Sequence, residues 1–159
     1  KSSAPIAFSD IDLNEAIHNA IRHVDLLVKS KKGSISTSFE ASDTIFRGNL
    51  NHITNLIINL LDNSIKYSDN PPKIRITKSN TSKHLVFTIE DSGIGMDLTT
   101  QKFVFEKFYR EQSGNIHNIK GHGLGLSYVK KIVDLHNGSI DLFSNVGKGT
   151  TFTISFPKK

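Results

Sequence analysis

The stretch from Asn55 to Ser68, NLIINLLDNSIKYS, constrains the fold more than any other part of the chain. With about 100° of rotation per residue, Asn55, Asn59, Asp62, Asn63 and Lys66 fall within one arc of about 100°. Ile53, Leu56, Ile57, Ile58, Leu60, Leu61 and Ile65 occupy most of the remaining circumference. Such a helix must be covered on nearly every side, with one narrow polar strip left open. Asn is a poor residue for a helix interior, because its amide competes for backbone hydrogen bonds. A strip that only met water would be better filled by Glu, Lys, Gln or Arg. Short neutral amide oxygens in a row suit an ion or a ligand; a solvated face is the plainer alternative.

The other segments supply the cover. IAFSDIDL reads as a short strand, with Asp12 as N-cap of a helix from about Leu13 to Lys31. Ile17, Ile21, Val24 and Leu27 form its apolar stripe, and Gly33 ends it. SISTSFE and DTIFRG alternate like strands. The asparagine helix runs from Asn49 to Tyr67 and closes at the turn SDNPP. KIRITKS and HLVFTIED form a hairpin around NTSK. A long polar, glycine-rich connection follows from Ser92 to about Gly123, and then the helix LGLSYVKKIVDLH, ended near Asn137 and Gly138. SIDLFSN and TTFTISF form a last hairpin across VGKG. Helices mixed with hairpins predict an α+β fold with a mostly antiparallel sheet. At 159 residues the chain is one domain, long enough to build a core without staples.

There are no cysteines, which excludes disulfides, thiolate nucleophiles and Cys-ligated metals. No apolar run approaches the roughly 20 residues of a membrane span. The chain starts at Lys1 without a signal-peptide pattern and is expected to be a piece of something longer. Its net charge is +5. The basic residues are scattered, as in Lys29, Lys31 and Lys32, Lys130 and Lys131, and Lys158 and Lys159. No aromatic residues interleave with them as a single-strand binder requires. The balance therefore predicts a site for an anionic ligand and no nucleic-acid partner.

Two glycine clusters sharpen that prediction. In HLVFTIEDSGIGM, Leu85, Phe87, Ile89 and Asp91 share one strand face, so a carboxylate ends a core-facing row. A charge there needs a partner. Gly93 and Gly95 follow, where a chain can turn and let another group approach its backbone. An acceptor-only carboxylate would take the exocyclic amine of adenine and reject guanine, which offers a carbonyl oxygen there. An ordinary Asp-Ser-Gly turn is the alternative. In GHGLGLSYVKKIV, Gly121, Gly123 and Gly125 open a helix whose free N–H groups would hold phosphates. Leu126 stands where a dinucleotide motif needs its third glycine, and VGKGTTF lacks the P-loop layout.

The order NLLDNSIKYS, EDSGIGM, FEKFYR, GHGLGL, GKGTTF resembles the N box, first glycine box, F box, second glycine box and final Gly-Thr element of sensor histidine kinases. The resemblance spans about Asn49 to Phe156. It implies the Bergerat nucleotide fold, a two-layer α/β sandwich. Its mixed, mostly antiparallel sheet would have five strands, with about three helices on one face. It implies that residues 1–159 form a single ATP-binding catalytic domain, with the acceptor-histidine dimerisation domain absent. Asn63 would bind Mg²⁺ through its amide oxygen, and Asn59 would face the same pocket. Lys66 would reach the phosphates and Tyr67 would pack near the adenine or ribose. Asp91 would bind the adenine amine, with Gly93 and Gly95 giving the base room and Thr150 supporting Asp91 through a hydroxyl or a water. The segment Gly121, His122, Gly123, Leu124 and Gly125 would wrap the triphosphate. Phe105, Phe108 and Arg110 match the F box, which anchors a lid over about residues 98–122.

Two positions depart from the family pattern, Ser64 where relatives usually have Ala and Asn137 where they often have Gly. None of the seven histidines has the context of a phosphate acceptor. Hydrolysing members of the wider fold group carry a Glu at the position of Asn59, as general base on water. A neutral Asn cannot accept that proton. The resemblance thus implies a domain that binds Mg²⁺ and ATP and donates the γ-phosphoryl group to a histidine of a separate dimerisation domain. A response regulator would act downstream, and the isolated domain would be monomeric and cytoplasmic, its parent anchored in the inner membrane. A hydrolysing Bergerat-fold ATPase and an anti-sigma-factor-type serine kinase are the alternatives; relatives of both kinds usually lack FEKFYR.

Overall fold

The computed structural model describes residues 7–39, 41, 43–68, 71–105 and 125–158. Its elements are β1 (Ser9–Asp12), α1 (Leu13–Ser30), β2 (Ser34–Phe39), β3 (Ile45–Gly48), α2 (Leu50–Lys66), β4 (Lys73–Asn80) and β5 (His84–Asp91). There follow α3 (Leu98–Phe103), α4 (Gly125–Leu135), β6 (Ser139–Asn145) and β7 (Gly149–Pro157). The main sheet has five strands in the order β2-β4-β5-β7-β6. Only β2 and β4 run parallel in it. The strands β1 and β3 pair antiparallel in a small sheet of their own, so the two early strand signals serve different sheets.

Alternation along the strands buries one face. Ile74, Ile76, Leu85, Phe87, Ile89, Phe152, Ile154 and Phe156 all point into the core. The other face carries Thr77 bonded to Thr88, and the pair Arg75–Glu90. Helices α1, α2 and α4 complete the core with α2 in the middle, packed against both others. That position explains the apolar girth of α2: Ile53, Leu56, Ile57, Leu60, Leu61 and Ile65 are all fully buried.

The Asp12 cap holds as predicted, and α2 is capped in the same way by Asn49. The Asp12 carboxylate accepts the N–H of Asn14 at 2.9 Å, and Asn49 accepts that of His52 at 2.9 Å. The stripe of α1 is shifted from the sequence expectation. Leu13, Ala16, Ile17, Ala20, Val24 and Val28 are buried, Ile21 is half-buried, and Leu27 is exposed. Leu27 shares the arc of Ala16 and Ala20, so its exposure reflects its place in the last turn of α1 and not a turn of the whole stripe. At the end of α1 it is Lys32, with φ 57°, that turns left-handed; the N–H of Gly33 then closes on the Val28 carbonyl at 2.9 Å. Asn137 does the same for α4 at φ 58°, a conformation Asn tolerates. A short helix, α3, interrupts the connection read as loop, with Asp97 as its cap on the Thr100 N–H at 2.7 Å.

Candidate functional site

Asn59, Asn63 and Lys66 lie on one strip of α2, Tyr67 caps that helix, and Asp91 ends the neighbouring strand β5. Gly125 opens α4 beside them; a Cβ added there would lie 3.6 Å from the Asn59 amide oxygen. The strip therefore faces the start of α4 on one side and the end of β5 on the other. Phe108, Arg110, Gly121, His122, Gly123 and Leu124 lie outside the described residues, as does the lid segment beyond residue 105. Phe105, the first F-box aromatic, meets Phe152 of β7 edge-on at 6.2 Å.

The end of β5 is tied to α2 by backbone. Ile94 N–H donates to the Tyr67 carbonyl at 3.0 Å. A Cβ at Gly93 would sit 2.5 Å from that same oxygen, so only glycine fits. Gly95 is left-handed at φ 76°, and a Cβ there would overlap the Asn145 carbonyl. What approaches these glycines is the protein's own backbone. The loop is also held from the far side. Gly147 N–H donates to the Ile94 carbonyl at 2.7 Å, and Met96 N–H to the Ser144 hydroxyl at 2.8 Å.

Asp91 Oδ1 accepts the Gly93 N–H at 2.8 Å, and Ser64 and the Thr150 backbone also favour its charged form. Burial pushes its carboxyl above the ordinary carboxylate range, against these donors, and Glu90 adds to the rise. Thr150 faces Asp91 across the β5–β7 ladder, and its hydroxyl is turned to Ser144. Ser144 spends its own proton on the Gly149 carbonyl at 2.9 Å, so the Thr150 hydroxyl, 2.9 Å away, donates to Ser144. Ser64 and Ser144 were the residues missed. Their signal was a small hydroxyl at a position whose period points inward, among Leu60, Leu61 and Ile65 for one and after Ile140 and Leu142 for the other.

The other half of the strip is partnered within α2. Lys66 pairs with Asp62 at 2.9 Å. Asn59 donates its amide N–H to the Asn55 carbonyl at 2.8 Å, which leaves its oxygen toward α4. Asn63 is half-buried. Among the described residues no group of three or more His, Cys, Asp or Glu side chains could hold a metal. A hard cation here would have to rely on amide oxygen and on the ligand's own oxygens, which is how Mg²⁺ is bound beside phosphates. A recess of about 360 Å³ lined by Ser68, Pro71, Lys73 and Ser92 adjoins the site and includes none of the asparagines. Outside the site, His136 is buried where α4 ends. Its Nε2 accepts the Asn49 N–H at 3.1 Å, and the proton is therefore assigned to Nδ1, 2.8 Å from the Ile132 carbonyl.

Residues 48–159 match the model of the family described as histidine kinase-, DNA gyrase B- and HSP90-like ATPases. The sensor protein RprX of Bacteroides fragilis is 38% identical over 159 residues, covering 99% of this chain and 31% of that protein. The chain spans about a third of the length of the curated relatives it matches. Among solved structures, the catalytic domain of histidine kinase ThkA superposes with a TM-score of 0.82 at 24% identity, over 96% of this chain and 98% of that one. ThkA in complex with response regulator protein TrrA superposes at 0.79 with 22% identity, over 96% of this chain and 42% of that one. These structures share the five-stranded, three-helix layering described above.

Proposed function

The chain belongs to the family of histidine kinase-, DNA gyrase B- and HSP90-like ATPases, and from that premise we propose that it holds ATP for transfer of the γ-phosphoryl group to a histidine on another segment. The observation that carries the reading is the pairing of a half-buried carboxylate, Asp91, with a strip of neutral amides one helix away. Asp91 takes the adenine amine, and the glycine turn behind it fixes where the base sits. Tyr67 packs against the base or ribose. Asn63 supplies the amide oxygen for Mg²⁺, and Asn59 faces the same pocket. Bound there, Mg²⁺ neutralises phosphate charge. Lys66 turns from Asp62 to the phosphates when they arrive, and Gly121, Gly123 and Gly125 are the glycines proposed to wrap them.

None of the strip's amides can act as base on a water: Asn55, Asn59 and Asn63 are neutral at any ordinary pH, and Asn59 stands where hydrolysing members of the fold group carry their Glu. Catalysis is then positioning and charge neutralisation, with the nucleophile arriving as an imidazole. Residues 1–159 act as one catalytic unit, with residues 98–122 as its lid. Sequence likeness to RprX, named a sensor protein, favours kinase over hydrolase. By analogy with the ThkA–TrrA pair, a response regulator receives the phosphoryl group next. No helix among the described residues is long and apolar enough to cross a membrane. A cytoplasmic, monomeric domain, tied to the inner membrane through its parent, fits the proposal. The test is γ-labelled ATP with and without a helical segment of the parent bearing the acceptor histidine. Label should pass to that segment, while the chain alone releases almost no phosphate. Brisk phosphate release without it would instead favour the hydrolysing reading.

A further inference from the structure

Ser144 lies on β6, an edge strand of the main sheet, and is buried. A serine hydroxyl has one proton and two lone pairs, and here all three are in use. It donates to the Gly149 carbonyl at 2.9 Å, accepts the Met96 N–H at 2.8 Å and accepts the Thr150 hydroxyl at 2.9 Å. The backbone carbonyl of Ser144 takes a fourth bond, from Gln101 Nε2 at 3.1 Å, and the same nitrogen donates to the Met96 carbonyl at 2.9 Å. Two of these partners adjoin Asp91. Thr150 is its register partner, and Gly149 lies so close that an added Cβ would overlap the Asp91 carbonyl. The other two lead to α3: Met96 precedes the Asp97 cap, and Gln101 is part of the helix. One buried side chain thus joins the strand pair of the base site to the helix that follows its glycine turn.

We propose that Ser144 is a positioning residue for the nucleotide site: it holds α3, the first helix of the proposed lid, against the β5–β7 pair, so that filling the base site steadies α3. The inference rests on the reading of residues 98–122 as a lid. The base end does not depend on Ser144. Ile94 N–H on the Tyr67 carbonyl and Gly147 N–H on the Ile94 carbonyl hold it separately. Beyond α3, Val104 and Phe105 pack on the core, and Phe105 meets Phe152 edge-on. Without the hydroxyl, the Met96 N–H and the Gly149 carbonyl lose the partner they share, and the near end of α3 comes loose while Asp91 keeps its place. A serine that only finished a sheet edge would affect both regions alike.

The experiment is hydrogen exchange read by mass spectrometry on peptides covering β5 and α3, with and without Mg²⁺ and β,γ-imido-ATP, at saturation checked by calorimetry. In the unsubstituted chain the nucleotide should slow exchange in both peptides. Ser144→Ala should keep the slowing in β5 within about twofold and lose about tenfold of it in α3, as for the loss of one to two hydrogen bonds. Ser144→Thr, which keeps the hydroxyl, should restore it. Gln101→Ala cuts only the bond to the Ser144 carbonyl and should lose about threefold in α3. Alanine is the better helix former, so that loss could not come from a weaker helix, and this variant decides if Ser144→Ala does not fold. Undiminished slowing of α3 in the variants, or equal losses in α3 and β5, would overturn the inference alone. Absence of slowing in α3 of the unsubstituted chain would overturn the reading of the lid and this inference with it.

Discussion

The β5 side of the site and the α2 strip are built differently. At the end of β5, Asp91 accepts the Gly93 N–H, and the loop beyond it is tied to α2 by Ile94 and to the β6–β7 turn by Gly147. Along the strip, Asn59 beside the start of α4 and Lys66 at the end of α2 are bonded within their own helix, to Asn55 and to Asp62. The first arrangement is complete before any ligand arrives. The second must exchange internal partners for external ones. A nucleotide site divided in this way recognises its base with a rigid surface and reserves its adjustable side chains for the end where charge moves.

The comparison is broken most severely at Asn63. Asn63→Ala removes the proposed cation ligand and adds nothing to the fold's burden, since Ala is the better helix former. Phosphotransfer to a supplied acceptor helix should fall on the order of a hundredfold or more, while calorimetry with ADP in the absence of Mg²⁺ should give near-unchanged affinity. A normal transfer rate would remove Asn63 from the site.

A middle-sized effect lies at His136, which joins the end of α4 to the cap of α2. Burial holds its imidazole below its ordinary range, opposed by the Ile132 carbonyl and aided by the nearby His52. A folded-state value below the unfolded 6.5 means that the unfolded chain binds the extra proton first. The stability from neutral His136 is full above about 6.5 and is lost as pH falls from there through the folded value. Denaturant melts at pH 7.5 and 5.5 should show that loss. His136→Phe keeps the stack on Phe8, removes this slope, and lowers stability by about 1–3 kcal/mol through the orphaned Asn49 N–H. A slope that persists in the variant would assign the titration elsewhere.

The smallest effect sharpens the contrast. Asp62→Asn releases Lys66 from a half-exposed pair and should tighten ATP by about two- to fivefold, with adenosine unaffected. Weaker ATP binding in calorimetry would mean that the pair positions Lys66 for phosphate and does not withhold it.

Legibility in the sequence followed the same division. The apolar girth of α2, the Asp12 cap of α1 and the face carrying Leu85, Phe87, Ile89 and Asp91 were legible because each is a local period or a local hydrogen bond. So was the approach of Gly93 and Gly95 to another group, though not that this group is the chain itself. Leu27 was misassigned because period gives only the arc, which it shares with Ala16 and Ala20, and not how far along α1 the cover extends. Ser144 was passed over because its part in holding the loop at Met96, 48 residues away, follows from the fold and not from a local period. Periodicity says where a side chain points, and only the fold says what stands opposite.

The central claim is that Asp91 presents a preformed acceptor for an amino group, and calorimetry of Mg²⁺ complexes of ATP and GTP tests it most directly. Guanine puts a carbonyl oxygen where adenine has its amine, so its lone pairs would face those of the carboxylate. The account predicts measurable ATP binding and GTP weaker by at least about tenfold, as for a lost hydrogen bond to a charged group together with an unpaired buried acceptor. It also predicts that ATP affinity falls with acid earlier than an ordinary carboxylate would require, because burial raises Asp91. Equal affinity for the two triphosphates would contradict the account.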